Sequence, residues 1–466
     1  VAAMIGAGLA TYAYSWRALP GLDIKGSSAP TSLPHSLATL TALTVVLMPA
    51  FVFLTTSTLM SECVFTLAQL LTVIVVEKAL RQRSRKAIYL WLFGAAMLAA
   101  WAFLTRSIAV SLLLAIGLYL LKQRELKGAV IFSVCVLTMI VPWVMYTRVN
   151  ATSQELKRAH GGNIVYSYGD QLWMQRAGAS TSGTATLADM PGRVWLNTVN
   201  IATRDLGGMF FPSLLRSAQE SGEEAFSLGE SATLGGGGMK GVPATVMVSV
   251  ILFSLALLGY AVVARQQLTL AEFLMPCSLA IIVIWPWWTF RFVLPLAPFL
   301  LRYILIGLAT LGQVMAKALP SKTTDIWAIP RVFIFCVLAL YGYDHFSYVR
   351  GLAQNPDASA WLSEAKESTE VLEWLRENLP SEAVVAASNP ARVFLHSGQK
   401  AISCDQPLEN WETWKRLGVR YLVIMESHGM TVLDGKEKDF PVLFRSANGM
   451  RVIDLGAPRT RPTPQP

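Results

Sequence analysis

The feature that most constrains this chain is a series of apolar segments, each near the length that crosses a lipid bilayer as a helix. A hydrocarbon core of about 30 Å takes about 20 helical residues, and unpaired backbone amides cannot face lipid. The segments are residues 1–16, 38–57, 62–77, 88–104, 107–121, 128–148, 243–264, 270–290, 292–312 and 331–348. The sequence therefore predicts an α-helical polytopic membrane protein with about ten transmembrane helices.

The composition agrees with this prediction. Of the 466 residues, 53% are hydrophobic and 15% are charged, which excludes a disordered or ordinary water-soluble chain. The formal net charge of +9 would suggest nucleic acid as a partner, but no basic stripe interleaved with aromatic residues runs along one face. Four of the five cysteines lie in apolar runs, and the five histidines are scattered. We therefore expect neither a disulfide framework nor a metal site with recognisable ligand spacing.

The positive charge is explained by membrane topology. Lysine and arginine in short connections stay on the cytoplasmic side of a membrane. The basic connections 78–86, 122–127 and 317–322 all fall on one side when the helices are threaded in order. The long loop 149–242 and everything after about residue 350 then face outward.

The same pattern divides the chain into five parts. Residues 1–148 and 243–349 carry the N-terminal and C-terminal transmembrane helices, 149–242 form a long extracytoplasmic loop, 350–457 an α/β extracytoplasmic domain, and 458–466 a Pro-rich tail. The loop mixes aromatic with charged residues, among them Asp170, before the glycine run 235–238. A loop of that length is functional more often than a plain connector, so we expect it to close over a membrane-embedded site.

The C-terminal part has the pattern of a small βαβ-type domain. Helices are predicted at 368–378, 390–396 and 409–417, strands at 383–387 and 420–425, and a hairpin of 442–445 with 450–455 around Asn448-Gly449. No Gly-x-Gly-x-x-Gly follows a strand, so the sequence does not indicate dinucleotide binding.

Ionisable residues at the ends of apolar runs need a reason, because a charge at the centre of a membrane helix costs about 2.5–3.5 kcal/mol. Glu62 begins one run, and a carboxylate facing a helix dipole explains it when it is taken alone. Arg106 lies between two runs and Arg148 ends another. Both also suit side chains that extend from the membrane interface into water.

Arg291 is harder to explain as an interfacial anchor. It is flanked by aromatic residues and followed by Pro295 and Pro298, which interrupt helical hydrogen bonding. Irregular backbone at membrane depth is tolerated only where it is buried in protein or lines a cavity. A guanidinium in such a place binds phosphate through bidentate, charge-assisted hydrogen bonds. We therefore predict a phosphate-binding role for Arg291.

Several motifs follow one another along the chain. They are Met60-Ser-Glu62 followed by Phe65, Leu104-Thr-Arg106, Val141-Pro-Trp143 with Arg148, Arg291-Phe-Val-Leu-Pro295-Leu-Ala-Pro298, and Trp374-Leu-Arg-Glu-Asn378 with Gly418-Val-Arg-Tyr-Leu-Val423. In this order the chain resembles the bacterial integral membrane glycosyltransferases of GT-C architecture. The resemblance is to the dolichyl-phosphate-mannose protein mannosyltransferase-like and aminoarabinose transferase-like family.

The resemblance implies an inverting hexosyl or pentosyl transferase with a polyprenyl-phosphate-linked sugar as co-substrate. The acceptor would be a glycan, lipid or protein reached from the outer face of the bacterial inner membrane, within the cell envelope. The residues expected to contact the lipid phosphate are Arg291, Arg106 and Arg148, with Glu62 and Asp170 as accessory acidic candidates. The partners are the bilayer, the donor and the acceptor, without nucleic acid. No metal ligand is predicted, and a divalent metal stays possible as a cofactor.

The general base is not assigned to a residue of this sequence. The family that the chain resembles places its catalytic acidic residue between the first and second membrane helices, and Val1 already lies in a run resembling the second. We therefore expect the base upstream of Val1. Two other classes stay open: a transporter or flippase of a lipid-linked saccharide, for which internal repeats are expected but not found, and a non-catalytic membrane scaffold.

Overall fold

A computed structural model describes residues 1–17, 35–56, 61–153, 167–176, 179–212, 244–286, 289–318, 325–354, 360–387, 389–404, 411–425, 440–446 and 449–456. The helices are α1 (Ala2–Arg17), α2 (His35–Leu47), α3 (Pro49–Thr56), α4 (Glu62–Leu80), α5 (Arg85–Thr105), α6 (Val110–Lys122), α7 (Leu126–Val149), α8 (Tyr168–Leu172), α9 (Met190–Asn200), α10 (Leu206–Phe210), α11 (Ala244–Gln266), α12 (Leu270–Ile284), α13 (Phe290–Val293), α14 (Ala297–Ala318), α15 (Ala328–Gln354), α16 (Ala360–Asn378), α17 (Pro390–Ser397) and α18 (Trp411–Arg416). Short 3₁₀ turns lie at Ser107–Ala109, Leu187–Asp189 and Leu294–Leu296, and a π turn at Ile201–Asp205. The strands are β1 (Met174–Arg176), β2 (Ala179–Thr184), β3 (Val384–Ala387), β4 (Lys400–Ser403), β5 (Val419–Ile424), β6 (Val442–Arg445) and β7 (Arg451–Asp454).

The chain divides into two compact units. The first comprises Val1–Val149 and Ala188–Phe346, and the second comprises Asn150–Leu187 and Ser347–Pro466. The first unit contains the apolar helices, and the second contains both sheets. The predicted loop 149–242 therefore contributes to both units, since α8 and the β1–β2 pair belong to the second and α9 and α10 to the first.

Within the described residues, six helices are long and apolar enough to cross a membrane. They are Glu62–Leu80, Arg85–Thr105, Leu126–Val149, Val246–Gln266, Phe290–Ala316 and Ala328–Gln354. The pair α2 and α3 makes a seventh candidate, and Ser107–Lys122 and Leu270–Ile284 are shorter apolar helices. The chain is a helical, multi-pass membrane protein, and the predicted count of ten spans exceeds the number found here.

Two predicted helices end where proline requires it. The predicted helix 38–57 is bent by 46° between α2 and α3, and Pro49 begins the second piece. Proline suits the first turn of a helix and interrupts one in its interior. The predicted helix 270–290 ends at Ile284, because Trp285 precedes Pro286 and is held in an extended conformation at φ −77° and ψ 138°.

The helices of the first unit differ in how far they are covered. In the most apolar window of Phe290–Ala316, 89% of residues are buried, against 22% in the windows of Leu126–Val149 and Ala328–Gln354. The span that begins at Phe290 therefore lies in the interior of the first unit. Helices α7 and α15 expose apolar side chains such as Leu137 and Phe335, as lipid-facing helices do.

Helices α11 and α14 approach to backbone contact at two glycines. A Cβ atom at Gly259 would lie 1.9 Å from the carbonyl oxygen of Tyr303, and one at Gly307 would lie 2.3 Å from that of Leu255. Only glycine fits at either position. Small residues at helix crossings in membranes let backbones approach and maximise packing.

The second unit contains a five-stranded sheet in the order β4-β3-β5-β7-β6. Strands β4, β3 and β5 are parallel, with Val385 opposite Ala401 and Tyr421, and β7 and β6 are antiparallel to their neighbours. The predicted strands 383–387 and 420–425 and the closing hairpin are confirmed. Strand β4 was not predicted, because its four residues begin with an exposed Lys400 and only two are buried.

Alternate residues of this sheet enter two apolar layers. One layer joins Val385 and Val423 to α16 and α17, and the other joins Ala386 and Leu422 to Trp414 of α18. This alternation follows from the two-residue period of a strand.

Candidate functional site

Three of the predicted site residues meet at the ends of membrane helices, and we name them the terminal cluster: Glu62, Arg106 and Arg291. Arg106 Nη1 lies 2.5 Å from Glu62 Oε1. Arg291 donates to the same oxygen from Nη2 at 2.8 Å and from Nε at 3.0 Å. The fold thus brings together residues as many as 229 positions apart in the chain.

Local structure explains why each side chain lies at a helix end. Glu62 is the first residue of α4, after the N-cap Ser61, where a carboxylate faces the positive end of the helix dipole. Arg106 is the C-cap of α5, where a cation faces the negative end. Arg291 lies in α13, and Gln69 Nε2 of α4 donates to the carbonyl oxygen of Pro295 at 3.4 Å, which links α4 to this segment.

The three side chains differ in exposure. The Glu62 side chain is 0% exposed, that of Arg106 11% and that of Arg291 46%. A buried carboxylate is strongly destabilising unless cations and hydrogen bonds compensate it, and here two guanidinium groups do so. With every group ionised, the terminal cluster carries one excess positive charge.

Arg106 packs against an aromatic ring. The guanidinium carbon of Arg106 lies 5.3 Å from the ring centroid of Phe292, in cation–π geometry. Phe292 in turn packs edge-on against Trp285, with ring centroids 6.4 Å apart. Arg106 is therefore a fixed cation, whereas the half-exposed Arg291 is accessible from solvent.

One carboxylate oxygen of Glu62 accepts no hydrogen bond from the described residues. All the contacts described above involve Oε1, and Oε2 is buried without a hydrogen-bond partner among the described residues. Buried polar atoms in native proteins nearly always have a partner, so Oε2 is one of the described atoms to which a ligand or water can donate a hydrogen bond.

A second group of polar contacts supports the segment that carries Arg291. The Thr289 hydroxyl donates to the buried carboxylate of Asp205, which also pairs with Arg204 at 2.9 Å. Burial raises the pKa of Asp205, although Arg204 and Thr289 act in the opposite direction. Because Thr289 is two residues before Arg291, this contact fixes the π turn against the entry to α13.

Helix α9 is anchored to the end of α12. Asn197 Nδ2 donates to the carbonyl oxygens of Val283 and Trp285, each at 2.9 Å, and Arg193 Nη1 donates to that of Ile284 at 3.3 Å. The last carbonyls of a helix have no partner within it, and these side chains supply donors. The sequence analysis did not assign Asn197, Asp205 or Thr289 to a site. The local sequence gave no distinct signal for them, because Asn197 is followed by Thr198 and Asp205 is preceded by Arg204.

Two predicted site residues lie elsewhere. Arg148 is exposed near the end of α7, and the described ion pairs of Glu62 do not include it. Asp170 belongs to the second unit, where its carboxylate accepts from the backbone N–H of Ser167 at 3.1 Å and from its hydroxyl at 2.8 Å. Asp170 thus completes the N-terminal cap of α8.

The terminal cluster has the chemistry of an anion site. Among the residues that the structure describes, no group of three or more His, Cys, Asp or Glu side chains is arranged to hold a metal ion. The net charge of the terminal cluster is positive, because two arginines surround one glutamate. Guanidinium groups match phosphate and carboxylate in bidentate geometry.

No protein-family model matches the chain, and no curated protein matches it. Function is therefore inferred from the geometry described above.

Proposed function

We propose that the chain is a membrane glycosyltransferase in which the terminal cluster binds the phosphate of a polyprenyl-phosphate-linked sugar. The observation that carries the proposal is the sharing of one carboxylate oxygen by two guanidinium groups at the ends of apolar helices. The order of the sequence motifs and the helical membrane fold add support.

The position of the cluster suits a lipid-linked donor. Glu62 begins a candidate membrane span, Arg106 directly follows another, and Arg291 lies in the first turns of a third. Helix ends of this kind lie near the boundary between hydrocarbon and headgroups. A polyprenyl chain can then stay among the helices while its phosphate contacts the arginines.

In the proposed reaction an acceptor oxygen attacks the anomeric carbon as the bond from that carbon to the phosphate oxygen breaks. Attack from the opposite face inverts the configuration, and the bond electrons leave with the phosphate. Arg291 and Arg106 stabilise the charge that develops there. A general base takes the acceptor proton, and we assign that role to no residue of the terminal cluster. The loop 149–242, anchored through α9, is proposed to hold the acceptor.

The proposal places the enzyme in the bacterial inner membrane, with loop 149–242 and the α/β domain on the extracytoplasmic side. Labelling of single-cysteine variants in intact cells, at exposed positions in the basic connection 78–86 and in the α/β domain, tests this topology. We expect a membrane-impermeant reagent to reach only the α/β domain.

The activity is tested with purified protein in nanodiscs, a radiolabelled polyprenyl-phosphate sugar and a panel of acceptors. Arg291→Ala should weaken donor binding by about 10–100-fold, the cost of about 1.5–3 kcal/mol for a charge-assisted hydrogen bond. Arg85→Ala is the matched control, because Arg85 is exposed and pairs with Glu125 at 2.6 Å. Unchanged donor binding by Arg291→Ala would contradict the site.

One observation favours a second candidate, a flippase of lipid-linked saccharides. The α2–α3 pair is a candidate span broken by 46°, and discontinuous helices are common at transporter binding sites. The two functions differ in product. A transferase releases polyprenyl phosphate and a glycosylated acceptor, whereas a flippase moves the intact donor between leaflets of a proteoliposome.

A further inference from the structure

We infer that Glu62 selects ligands by the headgroup attached to the bound phosphate. Its carboxylate oxygen Oε2 accepts a hydrogen bond from a hydroxyl or ammonium group of that headgroup. The inference rests on the proposed function, since it takes the terminal cluster to be the phosphate site. It adds a specificity-determining residue and narrows the ligand to a phosphate that carries a hydrogen-bond donor.

The two carboxylate oxygens of Glu62 have different hydrogen-bond partners. Oε1 receives Arg106 at 2.5 Å and both nitrogens of Arg291 at 2.8 and 3.0 Å. Oε2 receives none among the described residues, although the side chain is 0% exposed. A buried acceptor that lacks a donor is costly, so an occupied state in which a donor reaches Oε2 is favoured.

Another buried carboxylate in the same unit shows that the fold can satisfy both oxygens. Glu272, in the first turn of α12, accepts at Oε2 from the backbone N–H of Thr269 at 2.7 Å and from the Thr269 hydroxyl. Its Oε1 accepts from the Tyr303 hydroxyl at 2.8 Å. A carboxylate in the first turn of a helix can therefore satisfy both of its oxygens in this fold, whereas Glu62 Oε2, like Glu77 Oε1 farther along α4, has no partner among the described residues.

A phosphate reaches the terminal cluster through Arg291. Arg291 is 46% exposed, so an incoming phosphate can take its N–H groups and draw it from Glu62. Arg106 stays in place against Phe292 and keeps the carboxylate charged. Glu62 then has free lone pairs beside the phosphate, and an ionised carboxylate only accepts hydrogen bonds.

The hydrogen-bond donor to Oε2 belongs to the group that the phosphate carries. The oxygens of an ionised phosphate are acceptors and repel the carboxylate, so the phosphate itself cannot satisfy Oε2. A hydroxyl or ammonium group carried by the same ligand can. The ligand class is a lipid phosphodiester with a polyhydroxylated or amino-substituted headgroup, and a fully ionised lipid phosphomonoester lacks the required donor.

The test compares polyprenyl phosphate with polyprenyl-phosphate hexose by titration calorimetry on wild-type protein and Glu62→Gln in nanodiscs. Glutamine keeps one oxygen for the arginines and places an amide donor where the second oxygen was. We expect the wild type to prefer the hexose lipid by about tenfold, within the range of one charge-assisted hydrogen bond. Glu62→Gln should bind both lipids about equally.

The control is Glu77→Gln, which removes a buried carboxylate from the same helix and should keep the tenfold preference. A preference that survives in Glu62→Gln overturns the inference. A wild type that binds both lipids equally overturns the inference alone, because the phosphate site stands. A wild type that binds neither lipid overturns the proposed function as well.

A second measurement needs no variant and covers the case in which Glu62→Gln does not fold. Wild-type protein is titrated with donor lipids that each lack one hydroxyl of the sugar. One of these deoxy lipids should bind about tenfold more weakly than the parent. Equal binding by every deoxy lipid overturns the inference.

Discussion

Two clusters of charge in the described part of the first unit differ in balance and exposure. The terminal cluster was described above. The second, named here the core cluster, consists of Tyr14, Glu272, Arg302 and Tyr303. Arg302 Nη1 donates to the Tyr14 hydroxyl at 2.5 Å and lies 3.7 Å from Glu272 Oε1.

The core cluster is electrically balanced and closed. Its one cation and one anion compensate each other, and the Arg302 side chain is 1% exposed. The guanidinium carbon of Arg302 lies 5.3 Å from the ring centroid of Tyr14 and 5.7 Å from that of Tyr303. The terminal cluster has two cations for one anion, a half-exposed arginine and an unpartnered oxygen.

The difference between the two clusters shows that buried charges can either stabilise a fold or keep the capacity to bind a ligand. A buried cation that is balanced by a nearby anion is compatible with a membrane interior and fixes the helices that contribute to it. An unbalanced group near a helix end keeps capacity for a ligand of opposite charge. We therefore assign the core cluster to stability and propose a binding role for the terminal cluster.

The largest effect is expected from breaking the core cluster. Arg302→Ala leaves Glu272 buried without its cation and should lower the free energy of unfolding by about 3–5 kcal/mol. Thermal unfolding of the purified protein measures this. Arg291→Ala, at the half-exposed position, should change stability by less than about 1 kcal/mol. Equal destabilisation by the two variants would break the comparison.

The next effect concerns binding and sharpens the role of the terminal cluster. Arg106→Ala removes the fixed cation, and we expect donor affinity to fall by about 10–100-fold, the range of one charge-assisted hydrogen bond. Titration of the donor lipid measures it. Arg331→Ala provides a control, since Arg331 pairs with Asp325. A donor affinity unchanged in Arg106→Ala would exclude this residue from the site.

The smallest effect is a pH dependence at Asp205, next to the terminal cluster. Burial raises its pKa above the ordinary 3.8, so the folded state holds the proton more tightly than the unfolded state. The stability that this group contributes is present below pH 3.8 and is lost as pH rises through the raised pKa.

Asp205→Asn keeps an acceptor for Thr289 and cannot ionise. We expect its unfolding free energy to lack this pH slope, with a change of about 1 kcal/mol or less at neutral pH. Chemical unfolding at several pH values compares it with the wild type. An identical slope in both proteins would show that Asp205 titrates alike in the two states.

The residues of the terminal cluster were predictable one at a time, and their contact was not. Each is a charge at the edge of an apolar run, which local sequence shows. The pairing of Glu62 with Arg106 and Arg291 depends on how distant helices pack, which no local pattern records. Without that packing, Arg148 and Asp170 had the same standing as the residues that do meet.

The core cluster was missed although its signal was present. Arg302 lies inside the apolar run predicted as 292–312, and a charge at that depth is costly enough to demand a partner. Its partner Glu272 is 30 residues earlier, as the first-turn acid of another helix. The bend between α2 and α3 at Pro49 could also have been predicted, because proline in an apolar run marks a helix start or a bend.

The glycine crossing of α11 and α14 has a consequence for the distant arginine. With backbones touching at Gly259 and Gly307, α14 cannot slide along α11 without carbonyl oxygens striking side chains. A slip of one turn would move the span by about 5.4 Å. Arg291, at the head of the same span, would then leave the 2.8 Å contact with Glu62. The close backbone contact at the two glycines therefore fixes the position of Arg291 along the helix axis.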